Sequence, residues 1–144
     1  MKLTKALKLK NSLVREVADL KNIVNESNVY FVKNTPKYDS KTKYSELLGK
    51  SIELAIHKAK IAVTNTAIYP QMFLMAEMKG LIQHLKTLCT EDGIRPAMHR
   101  EAVELEYKAT ISKNDVDNEI TRLTKEVERL QDAIDEHNAT NSIE

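Results

Sequence analysis

The feature that most constrains this chain is a heptad repeat near its C-terminus. Apolar residues there step by four and three along residues 116–134, and they are Val116, Ile120, Leu123, Val127, Leu130 and Ile134. This spacing places all six side chains on one stripe of an α-helix, which serves as a seam for another helix. The remaining faces are charged, so we expect the flanks of the seam to be solvated. The repeat predicts a helix over residues 115–138, capped by residues 112–115.

Apolar periodicity predicts three further helices, over residues 3–24, 45–67 and 71–89. The second of these is apolar on two stripes. One stripe contains Leu48, Ile52, Ala55, Ala59, Ala62 and Thr66, and the other contains Leu47, Leu54 and Ile61. We therefore expect it to be the central helix, packed on more than one side.

Two segments favour β-strands. Residues 103–111 alternate apolar and polar side chains, which is typical of a strand with one buried face. Residues 29–32 are short, aromatic and β-branched, and we expect them to pair with the first segment. The sequence therefore predicts a mainly α, single-domain protein over residues 1–144. Its long antiparallel helices form a bundle or coiled coil beside a small two-stranded β ribbon.

The composition favours assembly. The 144 residues include two Phe, five Tyr and no Trp, which is little aromatic mass for a single core. Such a chain often completes its core with another subunit, so we predict a homo-oligomer, with a monomeric bundle as the alternative. The single cysteine, Cys89, excludes an intramolecular disulfide, and its helical spacing indicates a buried thiol. Without a signal core or a transmembrane run, a soluble cytoplasmic protein is expected.

Charge is unevenly distributed along the chain. Residues 1–50 carry eleven Lys and Arg against five Asp and Glu, whereas residues 101–144 carry five against twelve. The two ends could pair within or between subunits, or the basic part could receive an anion. The lysines near the start have the pattern of a solvated helix face, so DNA binding is not expected.

No motif in the sequence indicates catalysis. Gly49, Gly80 and Gly93 are isolated, so they form neither a phosphate-binding loop nor a dinucleotide fingerprint. The four histidines lack metal-ligand spacing, and Cys89 has no well-placed histidine beside it. We therefore expect no enzymatic activity, no metal and no cofactor.

Polar and basic residues near the apolar helices are the candidate ligand contacts. A buried amide at Asn65 must find partners, either another helix whose register it fixes or a ligand. Basic groups would meet phosphates, although Arg95 and Arg100 could instead pair with nearby acids. Tyrosines would stack on a base. The predicted ligand-binding residues are Tyr30, Lys60, Asn65, Tyr69, Arg95, His99 and Arg100.

Three phrases of the sequence resemble the septicolysin-like family of bacterial helical proteins. They are residues 1–7, residues 62–67 and residues 106–111 followed by the heptad helix. In the second phrase, Val63 stands where the family tends to have Arg. The resemblance implies long helices with a small β element and a homo-oligomer such as a hexamer. If that arginine serves a ligand in the family, this chain supplies the contact from elsewhere.

Three functions follow from these observations. The first is a non-enzymatic homo-oligomer that captures a small anionic, nucleotide-type ligand at subunit interfaces. A phage anti-defence protein that sequesters a nucleotide immune signal would be one instance, by analogy only. The second is a coiled-coil scaffold for a protein partner. The third, implied by the family resemblance, is a membrane-active protein.

Overall fold

The computed structural model describes the backbone of residues 1–97 and 100–144 and the side chains of residues 1–94 and 104–144. Its elements in chain order are α1 (Leu3–Ser27), α2 (Ser40–Asn65), α3 (Tyr69–Thr87), β1 (Gly93–Ala97), β2 (Arg100–Tyr107) and α4 (Lys113–Thr140). The prediction of a mainly α fold with a small β ribbon is confirmed. Each helix begins and ends within five residues of its predicted bounds.

The chain divides into two compact units. Unit 1 comprises residues 1–68 and 136–144, and unit 2 comprises residues 69–135. Helix α4 therefore begins in unit 2 and ends in unit 1. The prediction of a single domain is not tested by this division and stays a prediction.

Unit 1 is built on an antiparallel pair of helices. Early residues of α1 lie beside late residues of α2, as in the cluster of Leu3, Ala6 and Ile61. Later residues of α1 lie beside earlier residues of α2, as in the cluster of Leu13, Val17 and Leu54. All six side chains are buried, so apolar burial holds the two helices together.

The C-terminal residues of unit 1 pair with the start of α1. The Leu3 amide donates to the Asn141 carbonyl across 2.9 Å, and the Ile143 amide donates to the Met1 carbonyl across 2.9 Å. The Ile143 side chain is buried in the cluster that contains Leu3. This pairing fixes residues 141–144 near the C-terminal third of α2.

Helix α2 is covered on one side only by the described part of the chain. Its inner stripe, which includes Leu54, His57 and Ile61, is buried. The opposite side is exposed and carries no charged residue from residue 44 to residue 63, and we call it the outer face of α2. It consists of Tyr44, Ser45, Leu48, Gly49, Ile52, Ala55, Ile56, Ala59, Ala62 and Val63. Within one chain only the inner stripe is covered, and the prediction that this helix packs on more than one side stays a prediction.

The two-stranded ribbon in unit 2 is a local hairpin. Strands β1 and β2 are antiparallel, with Gly93 opposite Tyr107 and an irregularity between Pro96 and Ala97. Gly93 has a φ of 126°, a backbone conformation that glycine adopts without steric cost. The Asp92 side chain accepts a hydrogen bond from the Ala109 amide, which ties the two ends of the hairpin together.

The predicted strand at residues 29–32 is wrong. This segment lies in the loop between α1 and α2, where Val29 and Val32 are 85% and 89% exposed. The Asn34 amide donates to the Phe31 carbonyl in a turn instead. Strand propensity needs a paired neighbour, and β2 finds one a few residues away in β1.

The heptad of α4 is buried within one chain. Val116, Leu123, Leu130 and Ile134 are between 1% and 8% exposed. The predicted cap is also present, because the Ser112 amide donates to the Asp115 carboxylate and the Asp115 amide donates to the Ser112 hydroxyl. Four of the six seam residues are therefore buried without a second subunit, and Ile120 and Val127 are half-buried.

Two further expectations concern exposure. Cys89 is exposed rather than buried, because it follows the last residue of α3. Among the described residues, no helix is long and apolar enough to cross a membrane.

Candidate functional site

A surface cavity of about 760 Å³ lies in unit 1 between the C-terminal third of α2 and the end of the chain. The four residues from α2 share one side of the helix, and the others belong to the segment that pairs with the start of α1. The lining residues are Ala59, Lys60, Val63, Thr64, Asn141, Ser142 and Glu144. The cavity thus combines a lysine, polar groups and an apolar patch.

Local hydrogen bonds hold the polar wall of the cavity. The Thr64 hydroxyl donates to the Lys60 carbonyl across 3.1 Å, and the Asn141 side chain donates to the His137 carbonyl across 3.0 Å. Lys2 reaches the same segment, where its Nζ donates to the Thr140 carbonyl across 3.1 Å. These contacts order the groups that would surround a ligand.

Lys60 is the cationic group of this cavity. No described carboxylate lies within ion-pair distance of its Nζ. By contrast, Lys50 bridges Glu16 and Glu53 at 3.3 and 3.0 Å, and these hydrogen bonds raise the pKa of its ammonium above the ordinary value. Glu144 also lines the cavity and opposes an anion there. An anion would therefore meet one uncompensated lysine and one carboxylate.

Of the other three described cavities on α2 with charged walls, the largest is unsuited to an anion. It has a volume of about 530 Å³ between α1 and α2, and four carboxylates line it. Its one cation, Lys50, is already paired with two of them. A cavity of about 450 Å³ at the start of α2 contains Lys41, and one of about 160 Å³ contains Glu53 together with Lys60. The cavity of about 760 Å³ at Lys60 is the candidate site because it is the largest of the four.

Asn65 is buried and its side-chain Oδ1 accepts no hydrogen bond from the described residues. It does not line the Lys60 cavity. His57, about two turns earlier on the same helix, has a hydrogen-bond partner, since its Nε2 lies 2.8 Å from the Ala6 carbonyl oxygen. A carbonyl only accepts, so the ring nitrogen donates. Both predicted roles for Asn65, in register and in ligand contact, stay predictions.

Tyr30 is not brought near Lys60 within one chain. It lies in the loop that joins α1 to α2 and is 56% exposed. Lys60 is twenty residues beyond the first residue of α2, or about 30 Å at 1.5 Å per residue. Within one chain the antiparallel hairpin therefore places Tyr30 and Lys60 at opposite ends, and the predicted ligand contact of Tyr30 at a subunit interface stays a prediction.

The remaining predicted residues lie in unit 2 or outside the description. The Tyr69 ring stacks on the Phe73 ring with centroids 5.7 Å apart. The backbone of Arg95 lies in β1 and that of Arg100 begins β2, whereas their side chains are not described. His99 lies outside the described residues. Their predicted ligand contacts stay predictions.

Sequence reasoning missed the part of the cavity formed by Asn141, Ser142 and Glu144. The signal that could have found them is Ile143, a lone apolar residue in a polar tail, which is buried against α1. Among the described residues, no group of His, Cys, Asp and Glu could hold a metal ion. The cavity offers a lysine ammonium, polar side chains and an apolar patch as binding groups.

Comparisons with known proteins show the fold alone. No family model matches the chain, and none of the curated proteins matches it. A crystal structure from Corynebacterium diphtheriae, described as a functionally unknown conserved protein, matches with a TM-score of 0.77 and 15% identity. The match covers 100% of this chain and 99% of that one. The resemblance to the septicolysin-like family stays a prediction.

Proposed function

We propose that this chain is a non-enzymatic, self-associating binding protein that captures a small anionic ligand in the cavity around Lys60. The observation that carries this proposal is a lysine without a described acidic partner in a cavity of about 760 Å³. Cavities of this volume accommodate small molecules of nucleotide size. The Lys60 ammonium would bind a phosphate, and the Asn141 and Ser142 side chains would orient it.

The apolar patch beside Lys60 favours a ligand that has an apolar part as well as a negative charge. Ala59 and Val63 line the same cavity, so a base or another flat apolar group can rest against them. A nucleotide has both parts. Sequestration of a nucleotide immune signal is one function that fits this chemistry, and it is part of the proposal.

Titration calorimetry with inorganic phosphate, nucleoside monophosphates and cyclic dinucleotides tests the proposal. We expect Lys60→Ala to weaken binding of the best ligand at least tenfold, because it removes a charge-assisted contact. Lys58→Ala is the matched control, since Lys58 is exposed on the same helix and does not line the cavity. Glu144→Gln should tighten binding, because it removes the opposing carboxylate.

Three results would contradict the proposal. They are no heat with any of these anions, equal losses in the Lys60 and Lys58 variants, and a ligand recovered in cleaved form after denaturation. The last of these would establish an enzyme.

One observation favours the scaffold as a second candidate. The outer face of α2 is apolar and exposed, and such a face suits a helix from a partner protein. The membrane-active alternative has less support. It would use the amphipathic helix α1, whose residues Leu3, Leu13 and Val17 are buried in the core instead.

A further inference from the structure

The outer face of α2 is an extended uncharged surface. It runs from residue 44 to residue 63, about 30 Å along the helix axis. Ile52, Ile56 and Val63 are 54%, 56% and 76% exposed. The charged residues of α2 between 44 and 63 lie outside this strip, at its two edges or on the inner side. An exposed, uncharged face of this length indicates that another molecule binds there.

Side-chain size divides the outer face into two halves. Near the centre of the face, the N-terminal half carries the bulky Leu48 and Ile52, and the C-terminal half carries the small Ala55 and Ala59, with Ile56 and Val63 as its bulky residues. We propose that the outer face of α2 binds the same face of a second copy of this chain, with the two helices antiparallel. This inference rests on the self-association in the proposed function and does not depend on its ligand.

Antiparallel pairing makes the face complementary to itself in shape. With the two-fold axis between residues 53 and 54, Leu48 lies opposite Ala59 of the second copy, and Ile52 lies opposite its Ala55. Leu48 and Ile52 then each enter a gap above an alanine, as close helix packing requires, whereas Tyr44 lies opposite Val63 at the ends of the face. A parallel pair would instead oppose leucine to leucine and leave voids between alanines.

The charges at the edges of the face favour the same orientation. At 100° per residue, one edge carries Glu46, Glu53 and Lys60, and the other carries Lys58. A parallel pair brings opposite edges together, which places Lys60 beside Lys58 of the second copy. An antiparallel pair brings like edges together, which places each Lys60 near Glu46 of the second copy. The two Glu53 residues then meet near the axis, where Lys50 of the same chain offsets each carboxylate.

This arrangement changes the apolar wall of the Lys60 cavity, because Leu48 and Tyr44 of the second copy would lie against Ala59 and Val63 and would contact the ligand as well. Glu46 and Glu53 already pair with Lys43 and Lys50 of their own chain, at 3.1 and 3.0 Å. The pairing with Lys43 weakens the attraction of Glu46 for Lys60 without abolishing it, so Lys60 can also bind an anion. The cavity would open at the edge of the paired faces, so a ligand there would lie at a subunit interface.

Cysteine cross-linking tests both the surface and the orientation. The background is full-length protein with Cys89→Ser, because Cys89 is exposed. Under mild oxidation, we expect Ala55→Cys to form covalent dimers alone, since two copies of residue 55 lie close to the axis. A mixture of the Leu48→Cys and Ala59→Cys variants should form covalent dimers at least tenfold faster than either variant does alone. Thr121→Cys, exposed on α4, is the control that should stay monomeric on denaturing gels.

The outcomes separate the possible failures. Fast homotypic cross-linking at Leu48→Cys and Ala59→Cys would overturn the antiparallel orientation. An oligomer whose Ala55→Cys variant reacts no faster than the control would overturn the surface and leave self-association standing. A monomer at every concentration would overturn the pairing altogether. Calorimetric binding of an anion to the same protein would show that the ligand part of the proposed function survives.

Discussion

Helices α2 and α4 are both long and both bury one apolar stripe, but their outward sides differ. On α4 the outward side carries ion pairs, in which Arg122 donates to Glu119 and Arg129 donates to Glu126 with Nε–Oε2 distances of 2.9 Å. On α2 the outward side is uncharged from residue 44 to residue 63. Water therefore satisfies the outer side of α4, whereas the outer face of α2 still has apolar surface to bury.

This difference reverses the first impression from the sequence. The heptad of α4 is the clearest signal for helix pairing, yet four of its six apolar residues are buried inside one chain and the other two are half-buried. The second stripe of α2 has a weaker pattern of alanines and isolated bulky residues, and it stays exposed. A strong seam thus does not identify the surface that remains available to another subunit.

The largest expected effect separates a buried seam from an exposed face. Leu130→Ala should lower the free energy of unfolding by about 2–5 kcal/mol at any protein concentration, because Leu130 is 1% exposed within one chain. Leu48→Ala should lower the free energy of unfolding only at protein concentrations where the chains associate. Urea denaturation at about 1 μM and about 100 μM protein measures the loss of stability in both variants. If Leu48→Ala lost the same stability at both concentrations, the contrast between the seam of α4 and the outer face of α2 would be wrong.

The next effect concerns assembly. Ala55→Glu should weaken self-association at least 100-fold, because it buries an unpaired charge at the centre of the outer face of α2. Thr121→Glu is the matched change on the exposed side of α4, with Lys125 one turn away, and it should leave the mass unchanged. Light scattering coupled to gel filtration measures both. Equal masses for the two variants would remove the distinction between the helices.

A smaller effect is expected at the start of α4. Ser112→Ala should cost about 1 kcal/mol of stability, because the Ser112 hydroxyl accepts from the Asp115 amide. Ser112→Thr keeps a hydroxyl and should cost less. Thermal unfolding, followed by the helical circular dichroism signal at about 222 nm, distinguishes the stabilities of the two variants. If the two variants lost equal stability, the cap would not support the helix.

The smallest effect is a pH dependence carried by the outward side of α4. Hydrogen bonds from the arginines hold the pKa values of Glu119 and Glu126 below the ordinary value for glutamate. The stabilisation is present above about pH 4.3 and is lost as the pH falls through the lowered values.

The double variant Glu119→Gln/Glu126→Gln should therefore show a shallower loss of stability between about pH 5 and pH 3. Urea midpoints across this range measure the slope. Glu128→Gln is the control, because Glu128 makes no described ion pair. An unchanged slope in the double variant, or the same change in the control, would contradict this role.

Local periodicity predicted most of the fold and little of the site. The helices and the cap at Ser112 follow from spacing and hydrogen-bonding chemistry within a few residues. Strand β1 was missed because Gly93 and Pro96 indicate a turn, although a two-stranded ribbon tolerates both at its end and at an irregular position. The segment at Val29 has strand propensity but no partner.

The candidate cavity depends on contacts that sequence spacing does not reveal. Lys60 was found because a lysine in an apolar helix is unusual, but Ser142 joins it only because the two ends of the chain pair. Tyr30 was grouped with Lys60 by chemistry, and the direction of the hairpin separates them. Long-range pairing decides both outcomes.

Sedimentation equilibrium of the unmodified chain tests the central claim, that the outer face of α2 is covered by a second copy. The account predicts a mass that rises with concentration to an even multiple of 16.4 kDa. In the Ala55→Glu variant, the mass should return to 16.4 kDa over the same range. A wild-type mass of 16.4 kDa at every concentration would contradict the account.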